Sequence, residues 1–213
     1  MSRNGGKRAC IFDFDGTLVD SMGAFADLAG RLLQEAFGLT KEEGRERYLR
    51  TSGLPFREQL EALFPSDPRN ERTALAFEER KRLDYFAQPL FPNTAETLEY
   101  LRGRGLKLAV SSSNFPELVE AFLKRKRLAL DLVLGWRPGF SKGKAHFDCI
   151  QDRLSLAAHQ ILFVGDSLKD AEKSAAHGID FVGKAGTFPA GEFRTRFPEF
   201  PVIHDLAELK EIL

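Results

Sequence analysis

The sequence predicts an α/β fold, a doubly wound parallel sheet with an all-helical insertion after its first strand. Three observations predict it. Residues 8–14 (RACIFDF) are apolar on both faces, as a central strand of a parallel sheet must be. From 21 to 88 apolar residues recur at helical steps and no strand pattern interrupts them. From Pro92 onward strand-like and helix-like segments rotate strictly, which demands right-handed crossovers and helices on both faces of a parallel sheet. The 213 residues have room for one full domain and a smaller module. The expected division is 1–19 with 90–213 for the sheet domain and 20–89 for the helical insertion.

Each element has a local reason. In 21–37, Met22, Phe25, Ala26, Ala29, Leu32, Leu33 and Ala36 form one apolar face, and Gly38 is placed to stop the helix. Thr40 with Glu43 is a capping-box pattern for a second helix, Pro55 opens a third over 56–64, and Asp67-Pro68 starts a long one running to about Phe86. Beyond Pro92 the spacing predicts a helix over 93–104 capped by Asn93, a strand over 106–111, a helix over 116–126 and a strand over 131–134. A helix over 144–154, a strand over 160–164, a helix over 168–177 and a strand over 179–182 follow. The stretch 189–201, rich in Phe, Pro and Arg and without periodicity, reads as a surface connection before a short strand at Val202-Ile203 and a final helix from about Leu206.

Composition narrows the function. With 43% hydrophobic and 29% charged residues the chain is an ordinary soluble protein. Thirty-one basic residues balance thirty-one acidic ones, so there is no overall field for a polyanion, and a small molecule is a better partner than nucleic acid. Lys124 to Arg127 closes a helix, where cations complement the macrodipole, and reads as a solvated face. Cys10 and Cys149 form no CxxC pair and suggest reduced, packed thiols in a cytoplasmic setting. The basic start is followed by no apolar core of signal-peptide length, and no segment suits a membrane span.

The residues that carry chemistry fall at strand ends, where ligands sit in open α/β sheets. The first strand delivers Asp13 and Asp15, two carboxylates two positions apart, before breaking into Gly16-Thr17. The strand at 106–110 delivers Ser111, Ser112, Ser113 and Asn114 ahead of a helix start, a combination that serves equally as a cap or as a cradle for phosphate oxygens. The loop after 131–134 carries Lys142, Gly143 and Lys144; its Gly-Lys pair lacks the glycine spacing and the Ser/Thr of a nucleotide-binding loop. Gly165-Asp166-Ser167-Leu168-Lys169-Asp170 places one carboxylate at a strand tip and another on the next helical turn. Four acids converging on one crevice require a cation among them, and all-oxygen ligands beside a phosphate favour Mg2+. His146 either faces the site or points to solvent, the outer face of its helix being the default for a histidine there. The other histidines are too scattered for a zinc site.

DFDGTLVDS, SSSN after an apolar strand, a loop lysine and GDSLKD, in this order, resemble the four motifs of the haloacid dehalogenase superfamily. The likeness spans the sheet domain. It is nearest the phosphoglycolate phosphatase and beta-phosphoglucomutase branch, which carries a helical C1-type cap between the first two motifs, as 20–89 would here. The resemblance implies a Rossmann-like core and a Mg2+-dependent phosphatase acting on a small phosphorylated metabolite. It implies Asp13 as nucleophile forming an aspartyl phosphate and Asp15 as acid/base. Ser111, Ser112, Asn114 and Lys142 become phosphate-binding candidates, and Asp13, Asp15, Asp166 and Asp170 the metal ligands. Many relatives have Lys-Pro where this chain has Lys142-Gly143-Lys144, which leaves two lysines to choose between; spacing to Asp166 favours Lys142. Gly53 to Arg57 resembles the family's specificity loop, with Arg57 either meeting an anionic leaving group or forming a surface ion pair. A phosphomutase shares every core residue named. A phospho-acceptor signalling module lacks both the insertion and the second acid of DxDGT.

Overall fold

The computed structural model describes residues 6–213; the first five residues of the basic N-terminal stretch lie outside them. β1 (Ala9–Phe12) is buried along its whole length, so its residues leave water on both faces, each large apolar side chain contributing ~1.5–3 kcal/mol. It pairs in parallel with β2 (Lys107–Ser111) on one side and β4 (Ile161–Gly165) on the other. β3 (Leu132–Leu134) extends the sheet beyond β2, and β5 (Asp180–Lys184) and β6 (Val202–Ile203) extend it beyond β4. The order is β3-β2-β1-β4-β5-β6, six strands, all parallel. The order reverses around β1, so a crevice opens at the carboxyl ends of β1, β2 and β4, the switch point where doubly wound sheets bind ligands.

The chain separates into two compact units, one comprising the chain up to Val19 together with Leu90–Leu213, the other Asp20–Pro89. The second is entirely helical: α1 (Met22–Phe37), α2 (Lys41–Arg50), α3 (Phe56–Leu63) and α4 (Arg69–Asp84), with a 3-10 turn at Tyr85–Ala87. The capping box forms: the Glu43 amide donates to Thr40 Oγ1 at 3.1 Å and the Thr40 amide to Glu43 Oε2 at 2.8 Å. Phe25, Tyr48, Phe56, Phe77 and Tyr85 are buried together; Phe56 and Phe77 have ring centroids 4.3 Å apart. Aromatic area on short helices, rather than helix propensity, holds this unit.

In the sheet unit α5 (Thr94–Gly103), α6 (Pro116–Lys126), α7 (Lys144–Leu154) and α8 (Leu168–His177) fill the crossovers. Phe147 of α7 meets Phe163 edge-on at 5.4 Å, and Phe163 meets Phe181 at 5.8 Å, a ladder of rings across β4 and β5. Two local expectations are corrected. Asn93 does not cap α5: it sits at φ 61 and its amide donates to the Asp205 carboxylate at 3.0–3.1 Å, a tertiary partner displacing the local one. The expected connection at 189–201 contains α9 (Ala190–Arg196), whose Phe193 is buried and stacks on Phe181 at 6.2 Å. A helix of seven residues between prolines is too short to show a period, and one anchoring ring suffices to dock it. The chain closes with a 3-10 turn at Leu206–Glu208 and α10 (Leu209–Ile212). Among the described residues no helix is long and apolar enough to cross a membrane.

Candidate active site

Asp13 follows β1 directly. Its amide donates to the Val164 carbonyl at 2.8 Å, which carries the β1–β4 pairing one residue past the strand and holds the side chain at the switch point. The chain then folds back tightly: the Leu18 and Val19 amides both reach the Phe14 carbonyl, at 2.9 and 3.0 Å, and the Gly16 amide reaches Val19 O at 2.8 Å. This knot fixes Asp15 two residues from Asp13.

The two lysines of the β3–α7 loop separate cleanly. Lys142 is buried and its Nζ lies 2.6 Å from Asp13 Oδ1 and 2.8 Å from Asp170 Oδ1. Lys144 is 82% exposed and pairs with Asp148 one turn along α7. Lys142 is therefore the lysine that reaches the acids. Burial alone would push its pKa down, but the Asp13 and Asp170 carboxylates outweigh burial and hold it above the ordinary lysine value. Gly143, where many relatives have proline, adopts φ 113, a conformation closed to a ring that locks φ near −65°. The departure from Lys-Pro thus comes with a different backbone path into α7.

Asp166 stands at the tip of β4, buried, and accepts a hydrogen bond from the Thr187 hydroxyl. Asp170 is in the first turn of α8. Ser167 caps that helix by accepting from the Asp170 amide at 3.1 Å, while its hydroxyl donates to Asp170 Oδ2 at 2.6 Å. A Cβ on Gly165 would stand 2.8 Å from that same Oδ2, so only glycine lets the carboxylate fold against the strand end. Burial raises the Asp13 pKa, with Lys142 pulling it down and Asp170 up; burial, then Asp13 and Asp170, raise Asp166 well above the usual carboxylate range.

At the end of β2, Ser111 is buried with Oγ 2.9 Å from His146 Nδ1. The Ser112 hydroxyl accepts from the Asn114 backbone amide at 3.0 Å, closing the turn. The Asn114 side-chain amide, expected at phosphate, donates to the Asp15 carboxylate. His146 is fully buried rather than on the outer face of α7; the first turn of that helix faces the β2 strand end, and burial with the Lys142 charge lowers its pKa to about 4. Arg57 is exposed in the helical unit and pairs with Glu71 at 2.8 Å, the surface ion pair. Sequence reasoning passed over Thr187 entirely. It lies just past β5, and a search of every strand end for hydroxyls, not only acids, would have found it.

Oxygen atoms of Asp13, Asp166 and Asp170 lie within 4.8 Å of one another, all three residues buried. Three clustered carboxylates share one ammonium, which reaches Asp13 and Asp170 but not Asp166, so negative charge is left in excess; burial first, and then the neighbouring Asp13 and Asp170 charges, raise the Asp166 pKa accordingly. A hard divalent cation fits this oxygen donor set.

The model of the haloacid dehalogenase-like hydrolase family matches residues 10–184. The chain is 31% identical over 184 residues to the phosphoglycolate phosphatase of Synechococcus elongatus, covering 81% of each protein. It is 28% identical over 225 residues to that of Escherichia coli K12, covering 87% of this chain and 84% of the relative. A haloacid dehalogenase-like hydrolase from Streptococcus pneumoniae superposes with a TM-score of 0.81 over 97% of this chain and 98% of its own; at 19% identity this is a likeness of fold. Buried acids at a switch point, a lysine between two of them and a family match over residues 10–184 agree, and the chain belongs to the haloacid dehalogenase-like hydrolases, in their phosphatase branch.

Proposed function

We propose that this protein hydrolyses a small phosphomonoester through an aspartyl phosphate on Asp13, with Mg2+ as its cation. The observation that carries the reading is the division of labour between the two acids: Asp13 is paired with Lys142 inside the acidic cluster, while Asp15 is held apart by Asn114. Asp13 attacks phosphorus, the bond from phosphorus to the ester oxygen breaks, and Asp15 gives that oxygen a proton. Asp15 then takes a proton from water, whose oxygen attacks the aspartyl phosphate; the bond to Asp13 breaks and inorganic phosphate leaves. Lys142 and the Ser111 hydroxyl hold phosphoryl oxygens during both transfers. Asp13, Asp166, Asp170 and the Asp15 backbone carbonyl would hold Mg2+, which when bound neutralises charge on the phosphoryl group. The inserted helical unit is the cap that selects substrate, with Arg57 a candidate for an anionic leaving group.

The relatives named above make 2-phosphoglycolate the first compound to try. Phosphate release is measured with Mg2+ across glycolate, sugar, nucleotide and amino-acid phosphates; turnover of at least one small ester is expected, and inactivity across the panel and on an aryl phosphate contradicts the reading. Isomerised sugar phosphate without phosphate release would mark a mutase instead.

A further inference from the structure

Ser111 and His146 are both fully buried, and Oγ and Nδ1 are 2.9 Å apart. A serine hydroxyl beside a ring nitrogen can be used in two ways. If Oγ–H donates to Nδ1, the face of Ser111 left for a phosphoryl oxygen carries lone pairs and repels it. If Nδ1–H donates to Oγ, the hydroxyl proton is free to be given to that oxygen.

The other ring nitrogen decides between these. His146 Nε2 is buried and makes no hydrogen bond, although the Gly135 carbonyl lies near the ring. A neutral imidazole protonated at Nε2 would bury an N–H that makes no hydrogen bond in this geometry, which folded proteins rarely tolerate; protonated at Nδ1 it has Ser111 Oγ as acceptor and buries only an unused lone pair at Nε2. Phe140 packs on the ring at 4.6 Å between centroids, locking the orientation that presents Nδ1 to Ser111. The ring is kept neutral by its burial and by the Lys142 and Lys173 charges.

We infer that His146 is a positioning residue that donates from Nδ1 to Ser111 Oγ and so turns the Ser111 hydroxyl into a dedicated hydrogen-bond donor to the transferring phosphoryl group. The inference rests on the phosphatase reading, and it assigns to α7 a part in phosphate binding beyond the lysine that precedes it. His146 touches no reacting atom itself.

The test has two arms. The chain has four histidines, so the ring nitrogens of His146 are assigned in 15N-histidine-labelled protein by the signals missing from His146→Asn. Protonated Nδ1 with bare Nε2 is expected; the Nε2–H form overturns the inference. In the second arm, His146→Phe keeps a ring but no nitrogen, and should lower kcat/KM about tenfold and weaken inhibition by inorganic phosphate in parallel, the scale of one hydrogen bond to a charged group. His146→Asn, whose side chain can place a donor at the Nδ1 position, should recover most of that loss. In a Ser111→Ala background His146→Phe should add nothing further. An undiminished second loss in that background, or His146→Asn no better than His146→Phe, overturns the inference. Wild-type turnover is scored first: its absence sinks the phosphatase reading, and the ring protonation still decides the polarity of the hydroxyl.

Discussion

The Lys142 ammonium lies 2.6 Å from the Asp13 carboxylate, 129 positions away in sequence, and both side chains are almost fully withdrawn from water. The same Nζ reaches Asp170 at 2.8 Å. One cation is thus shared between the proposed nucleophile and a proposed metal ligand, and the loop after β3 is tied to the end of β1 and the first turn of α8.

Replacing Lys142 by Met leaves two buried carboxylates without their cation. The expected loss of stability is ~3–5 kcal/mol in chelator, read from urea unfolding, together with loss of turnover. Lys144→Met, on an exposed i,i+4 pair, should change stability by no more than about 0.5 kcal/mol. Equal effects of the two substitutions would contradict the assignment of Lys142.

The acidic cluster sets a pH dependence with a definite sign. Asp13 and Asp166 have folded-state pKa values raised by burial, so the native state holds protons that the unfolded chain has released. Stability of the metal-free protein should therefore fall as pH rises above the unfolded carboxylate value, about 4. Thermal melts in chelator at several pH values should show this fall, and added Mg2+ should reverse it at pH 8. Asp166→Asn should make the fall shallower and the Mg2+-induced shift smaller. A metal-free melting temperature that is higher in wild type than in Asp166→Asn at pH 8 would count against the charge imbalance.

His146 titrates in the opposite sense. Its pKa is lowered to about 4 against about 6.5 unfolded, so it favours the native state above pH 6.5 and that contribution is lost as pH falls toward 4. Because the carboxylates act with the other sign, the contribution is isolated by difference: urea midpoints from pH 7 to 4.5 should decline more steeply in wild type than in His146→Asn. Parallel declines would contradict a buried neutral imidazole.

Asn114 binds Asp15 through its side-chain amide, so Asn114→Ala should release the proposed acid/base without touching the proposed nucleophile. An alkyl phosphate, whose leaving oxygen needs a proton, should lose about 10–100-fold in kcat, consistent with partial loss of general acid catalysis. A nitrophenyl phosphate, with its weakly basic leaving group, should lose less in the first transfer, visible as a retained burst. Equal losses in that step for both esters would place Asn114 elsewhere.

Much of the fold was legible because its signals are local. The bounds of α6, α7 and α8 follow from Pro116, Gly143, Ser167 and Gly178 acting within a turn of the helix ends. The Asn93 cap failed because its side-chain amide donates to Asp205, 112 residues on, and its backbone sits at φ 61 instead of the extended conformation from which the side-chain oxygen caps a helix. The site divides the same way. Asp13, Asp15, Asp166 and Asp170 announce themselves by spacing at strand ends, but Lys142 and Lys144 flank one glycine and differ only in what each meets across the molecule. His146 carries no local mark of its inward direction, since its partner Ser111 is 35 residues away on another strand. Thr187 is one more hydroxyl in a loop until the fold sets it against Asp166.

The central claim is that Asp13 takes the phosphoryl group. In Asp15→Asn the proposed acid/base is lost, so nitrophenyl phosphate should still transfer its phosphoryl group while hydrolysis of the resulting acyl phosphate stalls. The decisive measurement is the intact mass and peptide map of Asp15→Asn quenched in acid after mixing with nitrophenyl phosphate and Mg2+. A stoichiometric burst of nitrophenol and one phosphoryl group on the peptide holding Asp13 are expected, both absent from the Asp13→Asn, Asp15→Asn double variant. A burst without that adduct, an adduct on another residue, or one that survives removal of Asp13 would contradict that claim.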